Sequence, residues 1–114
     1  MRLKSGVRLS KGDVPGPGVI TAPLVVAMMI VDGVYRAHDV ELVITAVFNG
    51  EHMGGSKHYS GEGFDARTHN VPPAELPIMV AEIKGALGDE FDVVFEGAGT
   101  PNAHLHVEYD PEGE

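Results

Sequence analysis

The chain has 114 residues, of which 43% are hydrophobic, and a formal net charge of -9 at pH 7. This length and apolar content predict one globular domain with a modest core. The acidic balance argues against a nucleic-acid partner, which needs a basic face, and against attraction to anionic membranes. Because the chain has no cysteine, disulfides and thiolate metal sites are excluded.

No segment of the sequence has the features of a membrane span or an export signal. The apolar run from Leu24 to Val31 is far shorter than the roughly 20 residues that cross a bilayer. The amino terminus continues into Gly, Ser and Pro rather than into an apolar stretch, so no signal peptide is visible. We therefore expect synthesis in the cytoplasm and no membrane insertion. The sequence does not indicate an oligomeric state, and a monomer is assumed.

The first half of the chain predicts a helix followed by a strand. Residues 1–18 are rich in glycine and proline, which indicates an irregular lead-in. Pro23 opens a predicted helix that continues to about Tyr35, because apolar residues recur there at helical spacing. The β-branched run 41–48 predicts a strand, and the glycine-rich stretch 50–63 predicts a loop.

The second half predicts a strand, a helix and two further strands. Residues 63–68 read as a short strand, and a helix lies somewhere within 71–87. Its regular part is expected to begin near Pro77, because proline breaks a helix that started earlier. Residues 91–95 and 103–109 then predict two strands joined by a loop.

This order of elements predicts an α+β domain whose helices pack against a mostly antiparallel sheet. The single domain is expected to cover residues 19–110, after the lead-in 1–18 and before a charged tail at 111–114.

Two segments carry candidate metal ligands: His58 and Asp65 in the first, and His104 and His106 in the second. The histidine pair lies on a predicted strand, where alternate side chains share a face, so Glu108 is expected to point the same way. Two histidines and a carboxylate form a three-ligand set for a catalytic divalent metal. Zinc is the leading candidate, because catalytic zinc sites leave their fourth position to water.

The pattern Ser-x-His-x-x-Gly-x-Gly-x-Asp at 56–65 resembles a known motif. It is similar to the Ser-x-His-x-x-Gly-x-Ala-x-Asp motif of zinc D-Ala-D-Ala carboxypeptidases and L-alanyl-D-glutamate endopeptidases, whose closing His-x-His is matched at 104–106. Lysostaphin-type and Hedgehog amino-terminal domains belong to the same superfamily, and 91–96 resembles the Hedgehog stretch that ends in a catalytic-type glutamate. The resemblance covers about 20–110 and implies the Hedgehog/D-Ala-D-Ala peptidase-like fold. Gly63 replaces the family alanine, a change expected to be neutral.

The resemblance implies a role for each matched residue. His58, Asp65 and His106 would be the zinc ligands, and His104 would stabilise an oxyanion or share in proton transfer beside the metal. Glu96 would be the general base for a zinc-activated water. The implied function is a zinc peptidase that hydrolyses an amide bond in peptidoglycan stem peptides, as a carboxypeptidase or an endopeptidase. It would act at the cell wall, as phage-encoded lytic enzymes do.

The spacing between Glu96 and His104 is longer than in the family, because residues 97–102 intervene. This loop either folds back and holds Glu96 near the metal or leaves it remote, with His104 as the sole acid–base group. The longer spacing favours an alternative function, a catalytically inactive zinc-containing interaction or structural module of the same fold. A metal-independent structural domain is a third possibility.

Three further expectations concern polar residues around these motifs. Glu108 is expected to accept a hydrogen bond from one of the two paired histidines, since metal-bound histidines donate their other N–H to an acceptor. Arg67 lies on the same strand face as Asp65, so it either clamps a substrate carboxylate or forms a surface salt bridge. The remaining histidines fit no ligand spacing and are expected to be solvated loop residues: His38, His52 and His69.

Overall fold

The computed structural model describes residues 1–4, 22–48 and 63–110. Within these ranges the chain forms five strands and two helices. In chain order they are β1 (Arg2–Leu3), α1 (Ala22–Ala37), β2 (Val43–Phe48), β3 (Gly63–Arg67), α2 (Leu76–Leu87), β4 (Phe91–Glu96) and β5 (His104–Tyr109). The predicted α+β class is confirmed. The predictions for residues 5–18, the loop 50–62 and the tail 111–114 lie outside the described residues.

The five strands form one sheet in the order β1-β2-β3-β5-β4. The pairs β2–β3, β3–β5 and β5–β4 are antiparallel, whereas β1 lies parallel to β2, so the sheet is mixed. The prediction of an irregular lead-in was wrong at Arg2–Leu3, which form a strand. The Arg2 N–H donates a hydrogen bond to the Leu42 carbonyl and the Lys4 N–H donates one to the Ile44 carbonyl, both at 2.8 Å. This pairing brings the amino terminus alongside the sheet.

Both predicted helices are present. Helix α1 buries Leu24, Ala27, Met28, Val31 and Tyr35, as its spacing predicted, and continues two residues past Tyr35. Helix α2 has a proline in its first turn and begins at Leu76, close to the start predicted from Pro77. It ends at Gly88, whose positive φ of 82° suits glycine and whose N–H bonds the Lys84 carbonyl. Neither helix is long and apolar enough to cross a membrane.

The two faces of the central strands differ in polarity, and this difference positions the site. Phe64 and Ala66 of β3 and Leu105 and Val107 of β5 are fully buried and belong to one core cluster with the helices. Side chains between them in sequence point to the opposite face of the sheet, because strand side chains alternate. The helices therefore cover one face, and the polar side chains of β3 and β5 occupy the other.

His38 links the two helices, which contradicts the expectation of a solvated loop residue. Its side chain is 18% exposed, with Nδ1 2.9 Å from Glu75 Oε1 and Nε2 2.8 Å from Glu82 Oε1. These hydrogen bonds raise the pKa of His38 above its ordinary 6.5, and the bond to Glu82 has the larger effect. The expectation failed because packing of α1 on α2 brings two distant carboxylates to the ring.

We predict that this contact stabilises the fold in a pH-dependent way. A raised pKa in the folded state means that the protonated ring contributes fully below about pH 6.5 and that the contribution is lost as the pH rises through the folded-state pKa. The difference in free energy of unfolding between wild type and His38→Gln should therefore be largest in mild acid and shrink in alkali. Urea denaturation across this range measures it. His69→Gln, at an exposed position, is the control. A pH-independent His38→Gln difference would contradict a charged contact.

At Gly63 the pairing of β3 with β5 leaves no room for a side-chain carbon. A Cβ atom built on Gly63 would lie 2.7 Å from the Val107 carbonyl oxygen and 3.3 Å from the Glu108 Cα, both of them backbone atoms. An alanine does not fit here unless the strands move apart. Glycine therefore suits this position of this chain, and the expectation that it is a neutral replacement for the family alanine stays a prediction.

We predict that Gly63→Ala lowers the free energy of unfolding by about 1–3 kcal/mol, because overpacking against backbone forces the two strands to shift. Gly85→Ala is the matched control, since nothing lies within 4 Å of a Cβ at that helical position. It should instead stabilise the protein by about 0.5–1 kcal/mol through helix propensity. Chemical denaturation of both variants tests this. Equal stability of Gly63→Ala and wild type would show that the two strands leave room for a Cβ atom at this position, contrary to the 2.7 Å approach.

Candidate functional site

Three adjacent strands bring the candidate residues to one patch on the face of the sheet opposite the helices. In the β3–β5 register Asp65 is opposite His106, and Arg67 is opposite His104. In the β4–β5 register Glu96 is opposite His104. Five of the six candidate site residues therefore lie together, although they come from three separate parts of the sequence. The sixth, His58, lies outside the described residues.

His106 is held on both sides by carboxylates. Its Nδ1 lies 2.7 Å from Asp65 Oδ1, and its Nε2 lies 3.1 Å from Glu108 Oε1. All three side chains are largely buried. The hydrogen bond to Asp65, together with that to Glu108, raises the pKa of His106 to about 9 against the opposing effect of burial. At neutral pH the ring is therefore an imidazolium that donates to both carboxylates, and Glu108 is its partner as expected.

His104 lies between Glu96 and Asp65. Its Nε2 is 2.9 Å from Glu96 Oε1 and 3.7 Å from Asp65 Oδ2, while its Nδ1 donates a 2.7 Å hydrogen bond to the Asn102 carbonyl. The hydrogen bond to the Asn102 carbonyl is the main cause that raises the pKa of His104. The neighbouring carboxylates of Asp65 and Glu96 raise it further. The ring is 27% exposed and Glu96 is 49% exposed, so both reach solvent at the surface of the patch.

The loop between β4 and β5 returns the chain directly to the histidine pair. Thr100 closes it, since its N–H and its hydroxyl both donate to the Gly97 carbonyl, at 3.0 and 2.7 Å. Gly97 and Gly99 adopt positive φ angles of 71° and 81°, which glycine tolerates best. The seven-residue loop, 97–103, therefore does not displace Glu96 from His104. Of the two alternatives for this spacing, the structure shows the one in which Glu96 lies beside His104.

Arg67 lies at the edge of a groove of about 640 Å³ that runs along the same face of the sheet. The groove is also lined by Lys4, His69 and His104. Arg67 forms no salt bridge with a carboxylate of the described residues, so the surface ion pair considered above is not observed there. Its backbone carbonyl accepts a 3.0 Å hydrogen bond from the buried Tyr35 hydroxyl, which ties the end of β3 to helix α1.

Lys4 and His69 were not predicted at the site. Lys4 reaches the groove because β1 pairs with β2, and no local pattern in the Gly- and Pro-rich lead-in indicates that pairing. His69 is exposed, as expected, but it also lines the groove. Its position two residues after Arg67, just beyond the end of β3, was the available signal. His52 lies outside the part of the chain that the structure describes.

The donor set at Asp65 and His106 fits a zinc ion. One carboxylate oxygen and one imidazole nitrogen lie side by side, and Glu108 binds the other ring nitrogen, which is the usual environment of a zinc-binding histidine. Within residues 1–4, 22–48 and 63–110, no group of three or more His, Asp or Glu side chains forms a ready-made metal site. A zinc ion bound here would therefore need a third ligand, and its binding would displace the proton of His106.

The chain has no match among known protein families, and no curated protein or solved structure is significantly similar to it. Its function is inferred from its own residues and their geometry.

We predict that Glu108→Gln lowers zinc affinity by roughly 10–100-fold, because a neutral amide holds the ring of His106 less firmly in its ligand orientation. His106→Ala should lose most of the bound zinc, since one of its ligands is removed. Competition with a chromogenic chelator measures the affinity, and elemental analysis measures the occupancy.

Glu90→Gln makes the same chemical change at an exposed position and serves as the control. Full zinc occupancy in His106→Ala would overturn the ligand assignment, whereas unchanged affinity in Glu108→Gln would remove Glu108 from the site.

Proposed function

We propose that the chain is a zinc-dependent peptidase with the Hedgehog/D-Ala-D-Ala peptidase-like fold, which hydrolyses an amide bond in peptidoglycan stem peptides. The observation that carries this proposal is the convergence of Asp65, His106, His104 and Glu96 on one solvent-facing patch. Two of these residues suit a metal and two suit proton transfer. Burying several charged side chains costs free energy of folding, so a patch of this kind is better explained by a function than by packing.

Asp65 and His106 would hold the zinc ion together with His58, the third ligand that the sequence motif implies. Zinc bound there would supply a Lewis acid that lowers the pKa of a bound water and polarises an amide carbonyl. Glu108 keeps the ring of His106 oriented through its 3.1 Å contact with Nε2. Nδ1, which contacts Asp65 at 2.7 Å, would then be the nitrogen that binds the metal after it loses its proton.

Glu96 is the general base in this proposal. Its carboxylate is half exposed at the rim of the patch, so it accepts a proton from the attacking water and passes it to the leaving amine. His104 has a raised pKa and contacts Glu96 directly. Its Nδ1–H donates to the Asn102 carbonyl, so Nε2, which contacts Glu96, is the ring nitrogen that would turn a hydrogen bond toward the oxyanion developing on the substrate carbonyl. The loop 97–103 keeps Glu96 and His104 together, which supports the peptidase over the inactive module.

Arg67 would bind a carboxylate of the substrate. Its guanidinium faces the groove next to His104 without a described ion-pair partner, and its planar fork matches a carboxylate in two parallel hydrogen bonds. Stem peptides carry free carboxylates, which agrees with a cation at this position. With this substrate the protein would act at the cell wall, in the manner of a phage lytic enzyme.

Replacement of the proposed base tests the function. Glu96→Gln should keep the fold and the zinc but lose roughly 10²–10⁴ in kcat, because the amide preserves shape and removes the proton acceptor. His104→Ala should lose less, since it removes only oxyanion stabilisation. Mass spectrometry of digested stem peptides gives the rates, and Glu90→Gln is the control.

The reverse order, with Glu96→Gln nearly silent and His104→Ala inactive, would move proton transfer to His104. A wild-type protein that carries zinc yet cleaves no stem peptide would overturn the peptidase and leave a zinc-containing binding module.

A further inference from the structure

A second groove, of about 850 Å³, lies between helix α2 and the end of the sheet. Its walls are mainly apolar and include Leu76 and Val80 of α2 and Phe95 of β4, all of them partly buried against the core. This apolar groove meets the polar groove of the site at His69 and Ala103, which line both. The two grooves are therefore neighbours that share part of their lining, and the apolar one lies beside the site.

Three of the Lys and Arg side chains that the structure describes line these two grooves. Two of the five described Lys and Arg side chains form salt bridges, Arg2 with Glu41 at 3.3 Å and Arg36 with Asp32 at 3.1 Å. The other three form none with a described carboxylate, and all three line the two grooves: Lys4, Arg67 and Lys84. In a chain of net charge -9, three cations that line two neighbouring grooves without a described carboxylate partner favour an anionic ligand there.

We propose that the apolar groove is a substrate subsite that binds the apolar side chains of an acidic peptide. A carboxylate of this peptide contacts Arg67 and Lys4 in the polar groove, and Lys84 faces the peptide at the far end. The proposal rests on the peptidase function and deepens it. It defines the substrate class as acidic peptides with apolar residues, beyond the chemistry at the scissile bond.

The lining favours a peptide over a more highly charged anion. Of the described residues that line the apolar groove, Lys84 alone carries a fixed positive charge. A nucleic acid or polyphosphate needs cations along its whole length, which these walls do not supply. An apolar wall with few convergent polar groups is instead typical of sites that bury aliphatic or aromatic side chains.

A groove-filling substitution tests the subsite. Ala81 is exposed and lines the groove, so Ala81→Trp fills it without entering the core, and Ala86→Trp makes the same change at an exposed position of α2 outside the groove. Both are made in zinc-loaded Glu96→Gln, so that the peptide is not turned over. Calorimetry compares Ac-Leu-Ala-Leu-Ala-Glu with Ac-Ser-Ala-Ser-Ala-Glu, each with a free carboxyl terminus.

The leucine peptide should bind at least about tenfold more tightly than the serine peptide, from burial of its side chains. Ala81→Trp should abolish this preference, and Ala86→Trp should keep it. Equal binding of the two peptides, or a preference that survives Ala81→Trp, would overturn the subsite. If Ala81→Trp does not fold, Lys84→Glu takes its place and should weaken binding roughly threefold or more; unchanged binding would overturn the role of Lys84.

Two further measurements separate the parts of the proposal. An amidated leucine peptide with glutamine in place of glutamate should bind more weakly, because it has no carboxylate for Arg67. Equal binding of the neutral peptide would overturn the anionic substrate class. Hydrolysis is measured separately on wild type. A retained leucine preference without any hydrolysis would overturn the peptidase function and leave the peptide-binding groove in place.

Discussion

The pairing of β3 with β5 is the constraint on which the rest of the structure depends. One register places Phe64 and Ala66 against the helices and, on the opposite face, sets Asp65 beside His106. Because strand side chains alternate with a period of two, a shift of one residue would send Asp65 into the core and Phe64 into solvent. The apolar core therefore determines which polar side chains meet. At Gly63 the two strands lie too close for a Cβ atom to fit between them.

The site built on this pairing is a row in which carboxylates alternate with imidazoles. Glu108, His106, Asp65, His104 and Glu96 follow one another with contacts of 2.7 to 3.7 Å. Each imidazole lies between carboxylates, so each charged group is compensated by its neighbours. Such a row holds its members in place before a ligand arrives, and preorganised groups lose little freedom on binding.

Much of the fold was predictable from local patterns. The spacing of Leu24, Met28, Val31 and Tyr35 gave α1, and the alternation of 104–109 put both histidines on one face. What escaped prediction depends on partners far along the sequence. His38 meets Glu75 and Glu82, which lie 37 and 44 residues away, and no local pattern indicates that meeting. The return of Glu96 to His104 depends on backbone angles at Gly97 and Gly99, which a spacing alone does not specify.

The position of β4 has a consequence for how copies of this protein meet. In the described part of the chain β4 pairs with β5 alone and is an edge strand, and exposed edges readily pair with other chains. Here the outward face of that edge carries the carboxylates Asp92 and Glu96, and Glu90 precedes it. Two copies approaching edge to edge would bring like charges together. The carboxylate that we assign to proton transfer would thus also oppose edge-to-edge association, and a neutral substitution at Glu96 would weaken that repulsion.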